Sequence, residues 1–190
     1  MIPPEDAPDT PADTSNDTSA DMSNDTLDAR TAHEARATPT LLAVDLGLRT
    51  GLAVFGHDGR LLRYRSTHFP DLGTLKRALP RVLTEAPNLA CLVCEGDRHL
   101  AAIWTRHLPR DAELVWVSAE TWREVLLTPA EQRDGPTAKQ SADRRAREVI
   151  VASGLSRPTS LRHDAAEAIL IGLWGALRLG WCERPPWRRR

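Results

Sequence analysis

The sequence predicts an α/β domain in which a mixed sheet, three antiparallel strands followed by parallel strands, is flanked by helices. Three short apolar runs between residues 41 and 67 are joined by glycine-containing turns, which favours antiparallel neighbours. From residue 69 onward, helical periodicities alternate with apolar runs. That alternation is typical of parallel strands joined by crossover helices.

The first three strands follow from local patterns. Residues 41–45 form an apolar run that ends at Asp45, so we expect a strand buried on both faces. Residues 51–56 and 61–67 flank Asp58 and Gly59, a pair favoured in tight hairpins. The second and third strands are therefore predicted to form a hairpin.

The second half of the chain alternates helices with strands. Pro80 lies inside the first helical periodicity and should kink or split that helix. Ser118 is a candidate helix cap and Gly154 a candidate helix terminator. The predicted elements are helix 69–86, strand 89–95, helix 97–108, strand 113–117, helix 118–127, a polar loop at 128–136, helix 137–153 and helix 162–179. This order is typical of the ribonuclease H-like mixed sheet.

Charge divides the chain into an acidic and a basic part. The whole chain has a formal net charge of −1; residues 1–38 carry nine acidic and two basic side chains, a balance of −7, which leaves +6 for the rest. Residues 1–38 are also poor in large apolar side chains, so we predict a disordered acidic arm. The folded domain is expected over 39–180, and residues 181–190 are expected to form a short, basic and poorly ordered tail. A basic domain favours a polyanionic partner.

Cysteine usage and hydropathy point to a cytoplasmic protein. Cys91 and Cys94 lie three apart in a predicted strand, where they face opposite sides, so a zinc or redox site is not expected and these residues and Cys182 are interpreted as reduced core thiols. The chain contains no run of eighteen apolar residues and no secretory leader pattern, so no membrane span or secretion signal is predicted.

Four acidic residues stand at positions where a packed domain rarely places them. Asp45 and Glu95 each end a buried strand, and Asp164 and Glu167 share one side of the most apolar helix. If the two strand ends are neighbours, the four carboxylates converge and require cations. Oxygen ligands of this kind suit Mg²⁺ or Mn²⁺, and two such ions can activate water for attack on a phosphodiester. The sequence therefore predicts a two-metal nuclease site.

The chain resembles the RuvC-type Holliday junction resolvases over nearly all of residues 41–175. The segments that carry the resemblance are DLGLRTGLAV, CLVCEGD, RDGPTAKQ and RHDAAEAILIG. The resemblance implies a homodimeric, Mg²⁺-dependent endonuclease that cuts branched DNA such as a four-way junction, in the cytoplasm at the nucleoid. It also implies that the four acids bind the metals, with Asp45 bridging them, and that Lys139 lies against the scissile phosphate.

Other candidate residues follow from the same resemblance. His163 is an alternative metal ligand or general base. Phosphate contacts are expected from basic side chains near the site and on the helix after the polar loop, namely Arg49, Lys139, Arg144, Arg145 and Arg147.

The sequence departs from the family pattern at two places. The last motif ends in Glu167, where the family commonly has Asp. The aromatic residue expected after the second acid is replaced by Gly96, Asp97 and Arg98, and Tyr64 or Trp104 are the candidate substitutes. The extra methylene of Glu167 moves its carboxylate outward, and the missing aromatic residue bears on junction selectivity more than on nuclease chemistry.

Three alternatives remain open at this stage. A YqgF-type nuclease acting on ribosomal RNA shares the opening motif, although Glu95 and the DAAEA helix favour the resolvase type. A catalytically silent DNA-binding relative would have no need of a costly acidic cluster. An actin-like kinase would require a second domain and a nucleotide-binding glycine motif, for which the chain is too short.

Overall fold

The computed structural model describes residues 38–188. The predicted acidic arm lies outside the described residues except for Thr38. Five strands form one sheet: β1 (Thr40–Leu46), β2 (Arg49–Gly56), β3 (Leu61–His68), β4 (Leu89–Gly96) and β5 (Glu113–Trp116). The helices are α1 (Leu72–Leu83), α2 (Arg98–Thr105), α3 (Ala119–Leu126), α4 (Gly135–Ala152) and α5 (His163–Arg178), with a 3-10 turn at Pro129–Gln132.

The sheet is mixed, and its strand order is β3-β2-β1-β4-β5. β1 pairs antiparallel with β2, and β2 pairs antiparallel with β3. β1 pairs parallel with β4, and β4 pairs parallel with β5. The protein thus has the ribonuclease H-like fold, and the predicted fold class is confirmed.

The hairpin between β2 and β3 forms where the Asp58–Gly59 pair predicts it. Gly59 has a φ of +73°, a left-handed conformation that glycine adopts without strain. The backbone N–H of Gly56 donates to the carbonyl of Arg60 at 2.9 Å, which closes the turn.

Each face of the sheet is covered by its own helices. Alternate β1 residues such as Leu41 and Ala43 pack in one buried cluster with α3, α4 and α5, whereas Leu42 and Val44 pack in another with α1 and α2. Because successive strand residues point to opposite faces, β1 contributes to both clusters. This burial on both sides explains the uninterrupted apolar run of β1, as predicted.

Helix α5 packs unusually close to the sheet through glycine. A Cβ added at Gly172 would overlap the ring of Phe55, and one added at Gly175 would come within 2.8 Å of Leu41 and Val93. The helix is therefore positioned by direct contact between its backbone and side chains of the strands.

Two sequence expectations differ from the structure. α1 is one continuous helix with Pro80 inside it; Pro80 lies three residues before the helix end, so the helix is not split. The segment after α5 was expected to be poorly ordered, yet Trp181, Cys182 and Trp187 pack against the buried cluster that contains α5. The arginines of this segment predict a solvated tail, but the apolar side chains between them hold it against the buried core.

None of the helices between residues 38 and 188 combines the length and apolar character needed to cross a membrane.

Candidate active site

Asp45 and Glu95 are direct neighbours in the sheet. They are register partners on the parallel pair β1 and β4. Each continues the set of strand residues, Ala43 on β1 and Val93 on β4, that faces α5. The two carboxylates therefore lie side by side near the carboxyl ends of the two central strands, on the α5 face.

The beginning of α5 lies directly over these strand ends. Gly51 is the register partner of Asp45 on β2. A Cβ added to Gly51 would overlap the backbone carbonyl of Asp164 and approach the Cβ of Ala168 to 3.0 Å. Only glycine permits this approach, which brings Asp164 and Glu167 toward Asp45.

Electrostatics show that the four acids act on one another. Burial, followed by the charges of Glu167, Glu95 and Asp164, raises the pKa of Asp45 from 3.8 to about 8. Burial and the charge of Glu167 also raise the pKa of Glu95. The side chains of Asp45 and Glu95 make no hydrogen bond or ion pair within residues 38–188. The charge of Arg123 lowers both pKa values in part, but it does not outweigh burial and the neighbouring acids.

The two acids of α5 are held by other side chains of the protein. Ser66 on β3 donates a short hydrogen bond to Asp164 Oδ2. Glu167 is buried; its Oε1 accepts from Arg123 Nη2 at 2.8 Å, and its Oε2 lies 3.3 Å from His163 Nε2. Each carboxylate on the helix therefore already has a partner.

The four carboxylates are chemically suitable ligands for a hard divalent ion. Their positions, however, do not form a coordination site. Four carboxylates, two of them unpartnered, are the oxygen ligands that Mg²⁺ and Mn²⁺ prefer. In the part of the chain that is described, however, no group of three or more His, Cys, Asp or Glu side chains is placed to hold a metal ion. Arg123 and Ser66 engage Glu167 and Asp164, so joint coordination requires these two side chains to change partners.

The predicted phosphate-binding residues fall into two groups. Arg49 and Lys139 are exposed and form no ion pair within the described part of the chain. The other three are engaged: Arg144 and Arg145 with Glu131, Arg145 also with Glu148, and Arg147 with Asp143. The side chains of Arg145 and Arg147 are only 17% and 19% exposed, so Arg49, Lys139 and Arg144 are the better placed to reach a polyanion.

Aromatic and thiol groups are placed mostly in the core. Trp104 is fully buried, so it is not available to stack on a base, whereas Tyr64 on β3 is half-buried. Cys91 and Cys94 are buried and form no disulfide, and Cys182 is a half-buried free thiol. Burial raises the pKa of the Cys91 thiol to about 11 and that of Cys94 further, so these two behave as core residues, as predicted.

Sequence reasoning missed two residues that contact the acids, Ser66 and Arg123. Ser66 on β3 is the register partner of Gly51, which in turn pairs with Asp45. A regular extension of the hairpin from Phe55 and Leu61 would pair Gly51 with Arg65, and only the register shift between Val54 and Phe55 brings Ser66 to this position. The contact of Arg123 could not be predicted from the sequence, because an arginine on a short amphipathic helix is usually exposed to solvent.

No protein-family model matches the chain, and no curated protein sequence matches it significantly. Among solved structures, T. thermophilus RuvC in complex with a Holliday junction substrate is similar at 16% sequence identity and a TM-score of 0.48, covering 75% of this chain and 97% of that chain. At this identity the likeness concerns the fold alone, which the strand order and directions described above establish independently.

Proposed function

We propose that the protein is a divalent-metal-dependent endonuclease of the RuvC type that hydrolyses phosphodiester bonds in branched DNA, such as a four-way junction. The supporting observation is the acidic corner, defined as Asp45, Glu95, Asp164 and Glu167. Two of its carboxylates are register partners on adjacent strands, and the start of α5 is seated over them through Gly51. Four acids this close carry more negative charge than Arg123 alone can balance, which is unfavourable in a folded protein unless further cations bind.

Each acid has a distinct part in the proposed reaction. Asp45 and Glu95 would hold the cations first, since neither has another partner among the described residues. Asp164 and Glu167 would join them after leaving Ser66 and Arg123. Two bound Mg²⁺ or Mn²⁺ ions would supply an activated water and stabilise the leaving oxygen. His163, beside Glu167, is the alternative ligand or general base.

The residues proposed to contact nucleic acid are basic side chains that are exposed and form no ion pair within the described residues. Arg49 and Lys139 are available to bind phosphates, and each such contact should add about one unit to the slope of binding against salt concentration. Lys139 is proposed to approach the scissile phosphate. The protein is further proposed to act as a homodimer at the cytoplasmic nucleoid.

A second candidate is a DNA-binding relative without catalysis. The ion pair between Arg123 and Glu167 favours it, because a permanently bound guanidinium would occupy the corner in place of a metal. The two candidates differ in one measurable respect, which is whether divalent ions induce cleavage.

Cleavage of defined substrates tests the proposal. Full-length protein should be incubated with Mg²⁺ and labelled four-way junction, linear duplex or structured RNA. Symmetric nicking of the junction is expected; selective RNA cleavage would indicate the YqgF type, and a mobility shift without cleavage would indicate the silent relative.

A charge-removing variant assigns the cleavage to the acidic corner. Asp45→Asn should lower cleavage at least about a hundredfold while junction binding stays largely intact, because it removes a metal ligand but no basic residue. Asp111→Asn is the matched control, since Asp111 is exposed and distant from the corner, beside Pro109 and Asn88. Equal loss of binding and cleavage in Asp45→Asn would contradict the role given to Asp45.

A further inference from the structure

One guanidinium acts on three of the four acids of the acidic corner, namely Asp45, Glu95 and Glu167. Arg123 on α3 donates to Glu167 at 2.8 Å and its charge acts on Asp45 and Glu95 as well. No other arginine or lysine of residues 38–188 forms an ion pair with any of the four acids. Arg123 thus occupies the place at which positive charge is most needed.

We propose that Arg123 is the resident counter-ion of the acidic corner and competes with divalent cations for its carboxylates, an inference that rests on the proposed function. In the metal-free protein its guanidinium is paired with Glu167 and its charge partly offsets those of Asp45 and Glu95. On metal binding it releases Glu167 and moves outward.

The contacts of Glu167 explain why the two cations exclude each other. Both carboxylate oxygens of Glu167 are engaged, one by Arg123 and the other by His163. A divalent ion bound to Glu167 would stand beside the guanidinium at contact distance, where like charges in a partly buried site repel strongly. The competition is consistent with the finding that, within residues 38–188, no group of three or more His, Cys, Asp or Glu side chains is placed to hold a metal ion.

The surroundings of Arg123 allow it to move. Its side chain is 28% exposed, and its guanidinium lies over the ring of Trp122 at 5.0 Å from the centroid. Glu120 lies one turn earlier on α3, is exposed, and interacts electrostatically with Arg123. Residues three apart on a helix are neighbours, so Glu120 offers a partner outside the corner. Arg123 can therefore pair with either of two carboxylates, Glu167 in the acidic corner or the exposed Glu120.

Equilibrium metal binding tests the competition without depending on cleavage. Full-length wild type, Arg123→Met and Arg123→Lys should be titrated with Mn²⁺ while free Mn²⁺ is followed by electron paramagnetic resonance. Removing one like charge at contact distance should tighten Mn²⁺ binding by Arg123→Met about tenfold. Arg123→Lys, which keeps the charge, should bind within about threefold of wild type.

Arg98→Met is the matched control. Arg98 also lies over a tryptophan, at 4.9 Å from the ring centroid of Trp116, but it pairs with none of the four acids. Its Mn²⁺ affinity should equal that of wild type.

A measurement on the wild-type protein covers the case in which Arg123→Met does not fold. The Nε–H resonance of Arg123, assigned by its loss in Arg123→Lys, should shift on addition of saturating Mg²⁺ as the pair with Glu167 breaks. A resonance that stays in place while Mg²⁺ binds would overturn the inference.

The outcomes separate this inference from the proposed function. If wild type binds Mn²⁺ and Arg123→Met binds equally or more weakly, the competition is refuted and the nuclease proposal stands. If only Arg123→Met binds Mn²⁺, the competition is supported in its strongest form. If neither binds, both the metal-dependent function and the competition are refuted.

Discussion

Replacing Asp45 by Asn should stabilise the metal-free protein. In the absence of a cation, burial and three neighbouring acids raise the pKa of Asp45 from 3.8 to about 8. An acid with a raised pKa in the folded state binds its proton more tightly there than in the unfolded chain. Its contribution to stability therefore falls as the pH rises between these two values.

The size of the effect follows from the difference between the two pKa values. Between pH 4 and pH 8, each pH unit should lower the free energy of unfolding of wild type by about 1.4 kcal/mol relative to the variant, because Asn carries no charge. At pH 7 the accumulated difference is about 4 kcal/mol. For a domain of this size, that corresponds to a rise in Tm of about 10 °C in Asp45→Asn.

Thermal unfolding at several pH values in the presence of EDTA measures this difference directly. The Tm of Asp45→Asn should exceed that of wild type increasingly from pH 5 to pH 8, and Asp111→Asn, an exposed acid without a resolved interaction in the corner, should follow wild type. Added Mg²⁺ should raise the Tm of wild type and close the gap. Equal Tm values for wild type and Asp45→Asn at pH 8 in EDTA would refute the reasoning.

Two further predictions concern the packing of the site and of the core. Gly51→Ala should lower the free energy of unfolding by about 1–3 kcal/mol in urea denaturation, because its Cβ would overlap the Asp164 carbonyl. Gly135→Ala, where no atom lies within 4 Å of the added Cβ, should have little effect, and equal stability of the two variants would contradict the close approach. A thiol reagent at pH 8 should modify at most Cys182 in the native protein, because Cys91 and Cys94 are buried with raised pKa values. All three thiols should react in urea, and absorbance counts them; a native count above one would show that the sheet opens.

The fold was predictable because its determinants are local. Apolar runs, the Asp58–Gly59 turn and the helix cap at Ser118 each specify their own element, and the structure contains all of them. The adjacency of β1 and β4 then follows from topology, and it makes Asp45 and Glu95 neighbours. Positions on strands are thus well determined once the strand order is known.

The partners of the acids were harder to predict because they depend on where separate elements meet in space. Arg123 reaches Glu167 because α3 packs against α5, a relation that no periodicity along the chain encodes. The segment after α5 was misjudged for a similar reason. The guanidinium of Arg145 on α4 lies 4.8 Å from the centroid of the Trp187 ring, so a cation–π contact with a distant helix holds a segment whose local composition is basic and proline-rich.

The glycine contacts of α5 have a consequence for how the protein tolerates change. Where a helix is spaced from a sheet by bulky side chains, exchanging those side chains alters the spacing. Here Gly51 lets the backbone of Asp164 approach β2 directly, and Gly172 lets the backbone of α5 rest on the side chains of Phe55 and Ala43. Variants that exchange Leu or Val at positions other than Leu41 and Val93, on which Gly175 rests, should therefore alter stability without changing the distance between the carboxylates of α5 and those of the strands.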